Sequence, residues 1–137
     1  VSRTNTFFEE GLKQVVHIDF TEPYCESLRQ DIISAADTSS IKIIKDGTYA
    51  ATPGPRLETA AEINSLENDR YELLGMTGMP EATLARELEI SYATCAVVAN
   101  KAAGRAEGKI TMEEIEACLT AGMEKVRTLL ETVIPEL

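Results

Sequence analysis

The stretch LLGMTGMPEATLARELEISYATCAVVANK, from Leu73 to Lys101, decides the predicted fold. It begins with a short apolar run and a Gly/Thr-rich turn that ends at Gly78. A helix is expected to begin at Pro80 and Glu81, because proline suits a first helical position and a carboxylate there meets the positive end of the helix. Tyr92 to Ala99 is then an unbroken apolar run, typical of a strand buried on both faces. The stretch therefore predicts a strand, a turn, a helix and a second strand of a parallel α/β sheet.

Two candidate site segments follow from this topology. Parallel α/β sheets bind ligands beyond the carboxyl ends of their strands. The turn from Gly75 to Gly78 follows the first predicted strand, and the polar pair Asn100-Lys101 follows the second. We expect these segments to lie side by side at one edge of the sheet. Met76, Thr77 and Asn100 are therefore candidate site residues.

The composition limits the size of the core and the class of partner. At 137 residues and 44% hydrophobic, the chain is long enough for one modest core but not for two domains. The net charge is -10 and the 13 basic residues are scattered, so nucleic-acid binding is not expected, because it needs clustered Lys and Arg. The sequence has no apolar run as long as a membrane span and no signal-peptide pattern, so no membrane partner is expected either.

Cysteine and histidine usage gives expectations about compartment and metal binding. Cys25, Cys95 and Cys118 are odd in number and lie far apart in apolar or helical contexts, which predicts buried thiols in a reducing, cytoplasmic setting. The only histidine is His17, and no metal-ligand spacing is present, so no metal site is predicted. A histidine in a short strand such as Val16 to Phe20 is more often structural than chemical.

Local patterns predict the other elements before the decisive stretch. A helix is expected from Tyr24 to Ala36, with its apolar residues turned inward. Asp46-Gly47 lies between the β-prone runs Ile41 to Ile44 and Thr48 to Ala51. An Asp-Gly pair in that position is a strong indication of a β-hairpin.

Two capping boxes of the T-x-x-E type mark further helix starts, at Thr59 to Glu62 and at Thr111 to Glu114. The second helix is amphipathic and is expected to end before Pro135. Glu58 comes immediately before the first cap, in a Gly/Pro-rich loop where most glutamates are simply solvated. Met112 falls in the first turn of the closing helix, where methionine usually serves packing.

Three sequence blocks carry a resemblance to a known family. They are GTYAATPGPRLETAAEI (Gly47 to Ile63), LLGMTGMPEATLARE (Leu73 to Glu87) and YATCAVVANKAAG (Tyr92 to Gly104). In this order and spacing they resemble the purine nucleoside phosphorylase and methylthioadenosine phosphorylase family. HIDFTEPYCESLRQ (His17 to Gln30) is similar to a segment of the methylthioadenosine phosphorylases.

The resemblance implies an α/β fold and only part of a domain. It corresponds to the C-terminal half of a phosphorylase-type three-layer fold, in which a mixed, largely parallel sheet is flanked by helices. Residues 1–137 are then expected to be the C-terminal portion of a single nucleoside phosphorylase domain. The N-terminal, phosphate-binding half has no counterpart, and the polar opening VSRTNTFFEEGLKQ is typical of a chain that begins in the middle of a longer one.

The resemblance also implies roles for residues that match the family motifs. Met76 resembles the residue that contacts the ribose, and Thr77 resembles the hydroxyl that helps to hold phosphate. Asn100 stands where the family hydrogen-bonds the purine N7 and its 6-substituent. Lys101 and Ala102, which follow it, complete this part of the predicted substrate-binding set.

Four further positions are matched at the base and at the 5′ end of the nucleoside. Glu58 stands where members specific for 6-oxopurines carry a carboxylate that faces N1, and Leu57 replaces the Phe commonly found beside the base. Met112 stands where methylthio-specific members carry an apolar residue and nucleoside-specific ones a His. His17 matches a position that reaches the 5′ end across the interface of a homotrimer.

These matches imply a substrate. A carboxylate at Glu58 accepts from the N1 proton of a 6-oxopurine but opposes the N1 lone pair of adenine, and Asn100 can donate to O6. The thioether of Met112 favours a 5′-methylthio group over a hydroxyl. The implied enzyme is a pentosyltransferase of purine salvage that cleaves S-methyl-5′-thioinosine to hypoxanthine and 5-methylthioribose 1-phosphate. Inorganic phosphate is its co-substrate, and no cofactor is expected.

Several alternatives stay open at this point. The specificity is alternatively for methylthioadenosine or for purine nucleosides in general. An alternative of another class is a non-catalytic assembly piece without a phosphate site, and a plain α/β domain without a ligand is a third. Whether a second chain carries the missing half is also open. The isolated 137-residue chain is expected to be inactive, because Thr77 alone cannot hold a phosphate dianion.

Overall fold

The computed structural model describes residues 4–11 and 14–137. Part of the polar opening, residues 1–3 and 12–13, lies outside the described residues. The helices are α1 (Glu26–Thr38), α2 (Ala60–Asn68), α3 (Glu81–Glu87) and α4 (Met112–Val133), and a 3-10 turn at Ile134–Glu136 follows α4. The strands β1 (Tyr49–Ala51) and β2 (Leu73–Gly75) pair in parallel, with Ala50 beside Leu74.

Helix α2 lies in the connection between the parallel strands β1 and β2, which is long enough for the crossover that parallel strands require. Helix α2 begins with the predicted capping box: the Thr59 hydroxyl accepts from the Glu62 N–H at 3.2 Å, and the Glu62 carboxylate accepts from the Thr59 N–H at 2.7 Å. Strand β2 and helix α3 also form where the sequence predicts them, with Pro80 capping α3. This part of the prediction is confirmed.

The core lies between α1 and α4 and consists of small and aliphatic side chains. Ala36 is fully buried, and Leu129 and Val133 are 2% and 3% exposed. Ile32, Ile41 and Ile43 pack against this cluster. Such a core agrees with a chain that has no Trp and few aromatic residues.

The predicted hairpin around Asp46-Gly47 is wrong. Ile41 to Ile44 form no strand, and β1 pairs with β2 instead. The reason is that this segment is held against α1: Arg29 donates to the Lys45 carbonyl at 2.7 Å, and the Lys45 ammonium lies 3.0 Å from Asp37. These tertiary contacts outweigh the local turn preference.

The predicted strand from Tyr92 to Ala99 is also wrong within the described part of the chain. The segment forms no regular secondary structure and has no strand partner there, and Val98 is 70% exposed. At its start, the Tyr92 carbonyl accepts from the Cys25 N–H at 2.8 Å. Further along, Val97 lies against Gly122 of α4, where an added Cβ would come within 2.3 Å of Val97 Cγ1. A buried strand needs neighbours on both edges, which these residues do not supply.

The prediction of buried thiols fails for the same reason. Cys95 and Cys118 are exposed, and Cys25 is half-buried. The amphipathic helix α4 buries Leu129 and Val133, whereas its Leu119 and Leu130 are 38% and 43% exposed.

The first helix begins and ends two residues later than predicted. It runs from Glu26 to Thr38 instead of from Tyr24 to Ala36. Cys25 occupies the N-cap, and the Tyr24 ring stacks on Tyr92 with the ring centroids 6.1 Å apart. Among the described residues, no helix is both long enough and apolar enough to cross a membrane.

Candidate functional site

The loop that leads from the carboxyl end of β1 to α2 carries Glu58 and is bonded to the carboxyl end of β2. Immediately after β1, the Thr52 N–H donates to the Gly75 carbonyl at the end of β2, at 2.8 Å. The Thr52 hydroxyl donates to Oε1 of Glu58 at 2.7 Å. Glu58 is half-buried and lines a cavity of about 300 Å³. The cavity therefore lies at the sheet edge where parallel strands bind ligands.

Met76 lies directly over this loop. Gly54 has φ +62°, a backbone conformation that favours glycine. A Cβ added there would lie 2.5 Å from the Met76 Sδ atom. The glycine therefore lets the thioether approach the backbone, and it brings the predicted ribose contact Met76 into the same cluster as Glu58.

The turn after β2 packs against the ring of Tyr49. A Cβ on Gly75 would come within 2.3 Å of the Tyr49 hydroxyl, and one on Gly78 would contact the same ring at 3.7 Å. Gly78 is buried and has φ +85°. Thr77 between them stays exposed, so its hydroxyl is open to a ligand at the edge of the sheet.

An ion pair fastens the Glu58 loop to the first turn of α2. The Arg56 guanidinium donates to both oxygens of Glu62, at 2.7 and 2.9 Å. The hydrogen bonds from Arg56 and then from Thr59 lower the pKa of Glu62 to about 2, and the Glu62 carboxylate in turn raises the pKa of Arg56. Glu62 thus bonds both to the helix cap and to Arg56 of the loop. Glu58 is bonded instead by the Thr52 hydroxyl.

The loop after Asn100 contacts the same helix. A Cβ on Gly104 would lie 3.1 Å from the Ala60 Cβ at the start of α2. Arg105 donates to Asn64 at 2.9 Å and also pairs with Glu67. The loop that begins at Asn100 and the helix that begins after Glu58 therefore pack together.

The predicted residues in this loop differ in exposure. Asn100 and Lys101 are exposed, and Ala102 is half-buried. The Asn100 side-chain amide donates one proton to the Lys101 carbonyl at 2.9 Å. An amide group has two protons, so a second one is available for a ligand acceptor.

Three other predicted residues are not part of the cavity wall. Leu57 is 47% exposed beside Glu58, and Met112 is 62% exposed as the first residue of α4. His17 is exposed in an irregular segment, which Arg86 of α3 contacts by donating to the Asp19 carbonyl at 3.2 Å. Of the predicted site residues, Glu58 alone is among the described residues that line this cavity.

A larger cavity, of about 670 Å³, lies on the other side of α3 between residues 18–27 and 86–92. None of the predicted site residues lines it. Cys25 does, and hydrogen bonds from Ser27, Leu28 and Ser91 lower its thiol pKa to about 7. We place the candidate site at the smaller cavity, because it is lined by the predicted residue Glu58 and by Thr52, which follows β1 and bonds to the end of β2.

Sequence reasoning missed two residues of the site and its surroundings. Thr52, which orients Glu58, resembles any polar residue before a Pro/Gly turn. Arg56 is only weakly indicated by the sequence. It stands six residues before Glu62, the glutamate of the capping box, and pairs with it only because the loop folds back. The described residues contain no group of three or more His, Cys, Asp or Glu side chains that could hold a metal ion.

Comparison with known proteins identifies the family. The model of the phosphorylase superfamily matches residues 1–135. A probable S-methyl-5′-thioinosine phosphorylase of Pseudomonas syringae is 51% identical over 132 residues, which make up 96% of this chain and 54% of that protein. The 6-oxopurine nucleoside phosphorylase of Pyrococcus furiosus is 43% identical, over 98% of this chain and 53% of that protein.

Solved structures show the same fold. The methylthioadenosine phosphorylase of Schistosoma mansoni in complex with adenine superimposes with a TM-score of 0.88 at 27% identity, over 98% of this chain and 54% of that one. The chain thus spans about half the length of the relatives it matches. These matches confirm the predicted phosphorylase-type α/β fold, and the chain belongs to the phosphorylase superfamily.

Proposed function

We propose that these 137 residues are the C-terminal portion of a single phosphorylase domain, whose complete form cleaves S-methyl-5′-thioinosine with phosphate. The observation that carries the proposal is the Glu58 carboxylate, held by Thr52 at the cavity beyond the parallel strands. The names of the relatives from Pseudomonas syringae and Pyrococcus furiosus support a 6-oxopurine substrate.

The base is recognised by a carboxylate and an amide. Glu58 accepts the N1 proton of hypoxanthine, and the free amide proton of Asn100 is donated to O6 or shared with N7. Adenine offers a lone pair at N1, which a carboxylate repels. A site that hydrogen-bonds its substrate discriminates strongly against an analogue that leaves such groups unpaired.

The reaction is a substitution at C1′ of the sugar. A phosphate oxygen forms a bond to C1′ while the bond from C1′ to the purine N9 breaks, and the purine leaves with the bonding electron pair. Positive charge develops on the ribose in the transition state, where the phosphate dianion stabilises it. Asn100 stabilises the negative charge that develops on the leaving purine, and Thr77 holds a phosphate oxygen.

The 5′ end of the substrate is proposed to contact Met112 and His17. Met112 presents a 62% exposed thioether, which contacts a methylthio group favourably and offers a hydroxyl no donor. His17 is proposed to reach this end from a neighbouring subunit of a homotrimer. We place the enzyme in the cytoplasm, because the three cysteines are free thiols.

A binding function without catalysis is the second candidate. Thr77 is exposed, and a single hydroxyl is a weak phosphate ligand. An assembly piece that packs or oligomerises without turning over a nucleoside agrees with that observation. The two candidates predict different results for a protein of the full length of the relatives. The phosphorylase cleaves nucleosides at that length, whereas the assembly piece does not.

Comparing kcat/KM for three nucleosides on the complete enzyme tests the proposal. We expect methylthioinosine to be preferred by one to two orders of magnitude over inosine and over methylthioadenosine, because an unpaired polar group costs about 1–3 kcal/mol. A preference for methylthioadenosine refutes the role of Glu58 and Asn100. A preference for inosine refutes that of Met112, and no turnover of any purine nucleoside favours the assembly piece.

A further inference from the structure

We propose that Thr52 is a positioning residue for base specificity, which fixes the Glu58 carboxylate so that one oxygen faces the purine N1. This inference rests on the proposed function and deepens it. The sequence motifs assign no role to Thr52. In the structure it is half-buried, lines the same cavity as Glu58 and contacts it directly.

The backbone of Thr52 is anchored to the sheet. Its N–H donates to the Gly75 carbonyl at 2.8 Å, immediately beyond the paired ends of β1 and β2. The Thr52 hydroxyl therefore projects from a backbone that is held to the end of the sheet. A group on a rigid element positions its partner more accurately than a group on a mobile one.

The single hydroxyl proton has two acceptors within reach. Oε1 of Glu58 lies at 2.7 Å and the Gly75 carbonyl at 3.4 Å. The shorter contact goes to a carboxylate, and hydrogen bonds to charged acceptors are the stronger ones. The proton is therefore donated to Glu58, and this bond occupies Oε1 while Oε2 is left for the N1 proton of the base.

Arg56, which lines the same cavity, is an alternative partner for Glu58. Arg56 is close enough for the Glu58 charge to contribute to its raised pKa, although its two hydrogen bonds go to Glu62. A glutamate carboxylate turns easily about its last torsion. Without the Thr52 hydroxyl, Glu58 is expected to turn toward Arg56 and away from the base.

Thr52→Val, nearly the same shape without the donor, tests the inference in the complete enzyme. We expect it to lower kcat/KM for methylthioinosine about tenfold, the usual effect of losing one hydrogen bond to a charged group. Methylthioadenosine does not use the N1 acceptor, so its kcat/KM is expected to change less than about twofold. Thr52→Ser keeps the hydroxyl and is expected to restore the discrimination.

Three further variants separate positioning from folding. Thr52→Ala also lacks the donor and replaces Thr52→Val if the latter does not fold. Thr120→Val makes the same chemical change at an exposed position of α4, where the hydroxyl donates to the Glu116 carbonyl at 2.8 Å, and is expected to leave discrimination unchanged. In a Glu58→Gln background, Thr52→Val is expected to have no additional effect on discrimination, because the two residues act as one unit.

The outcomes distinguish this inference from the function on which it rests. Equal losses for both nucleosides in Thr52→Val, or losses that add to those of Glu58→Gln, overturn the role of Thr52 alone. A wild-type enzyme that does not prefer 6-oxopurine nucleosides overturns the proposed function and this inference with it. A selective loss that Thr52→Ser restores supports both.

Discussion

Two regions of the molecule behave in opposite ways. The capped loop, from Thr52 to Glu62, has its helix cap, its ion pair and its glutamate all partnered within a few residues of one another. The segment from Tyr92 to Ala99 has the composition of a buried strand but no strand partner among the described residues, and Val98 is 70% exposed. Short-range chemistry completes the first region, whereas the second depends on neighbours far away in sequence.

The largest expected effect concerns activity. The isolated 137-residue chain is expected to turn over methylthioinosine at least about a thousandfold more slowly than the complete enzyme, because stabilising the phosphate and the transition state needs several preorganised charges. Single-turnover assays on chain verified by intact mass measure this. A rate close to that of the complete enzyme would show that the described residues already form a whole site.

The α1–α4 core is expected to contribute most to stability. Leu129→Ala should destabilise the chain by about 2–5 kcal/mol, because Leu129 is 2% exposed and its removal leaves a cavity. The matched control is Leu130→Ala, at the next position and 43% exposed, with an expected change of about 1 kcal/mol or less. If urea unfolding shows that both variants lose the same free energy of unfolding, the outer face of α4 is packed as well as the inner one.

Cys25 lies where the segment from Tyr92 to Ala99 is bonded to the start of α1, through the Cys25 N–H and the Tyr92 carbonyl. The reactivity of its thiol can therefore be measured as a probe of this contact. Hydrogen bonds, chiefly with Ser27, lower the pKa of the Cys25 thiol to about 7, whereas desolvation by packed neighbours raises the pKa of the Cys95 thiol although that residue reaches the surface. Cys25 is therefore expected to react with iodoacetamide about tenfold faster than Cys95 at pH 7, with its rate rising to a plateau above that pH. Ser27→Ala removes the largest cause of the lowered pKa and should move this rise to higher pH. Peptide mapping by mass spectrometry over time measures both.

The smallest effect tests the capped loop. The pKa of Glu62 is lowered from 4.5 to about 2 in the folded chain, so its stabilising effect is fully present above pH 4.5 and is lost as the pH falls toward 2. Glu62→Gln should flatten the fall in urea midpoint across this window, and Arg56→Met should flatten it too. If both variants keep the wild-type slope, the ion pair does not hold the loop.

The sequence predicts those parts of the fold and site that are decided locally. The Thr59 capping box, β2 and α3 all form where the motifs indicate. The hairpin at Asp46-Gly47 fails because Arg29 and Asp37 of α1 hold Lys45, immediately before the predicted turn. No turn motif contains that information, since the contacts arise only when the helix is in place.

The candidate site shows the same division. Glu58 and Met76 come from motif blocks, and the structure brings both to one cluster through Gly54. Thr52 could not be predicted, because its role depends on the parallel pairing that sets its backbone against Gly75. The roles of all the predicted site residues stay predictions, since each requires a bound nucleoside, a bound phosphate or a second subunit to be observed.

The central claim is that Glu58 selects a 6-oxopurine, and one ratio tests it most directly. That ratio is kcat/KM for methylthioinosine divided by kcat/KM for methylthioadenosine, measured on the complete wild-type enzyme and on Glu58→Gln. We predict a ratio of at least about ten in the wild type, which falls toward one when the carboxylate becomes an amide that can donate to the adenine N1. A ratio that Glu58→Gln leaves unchanged would contradict the claim.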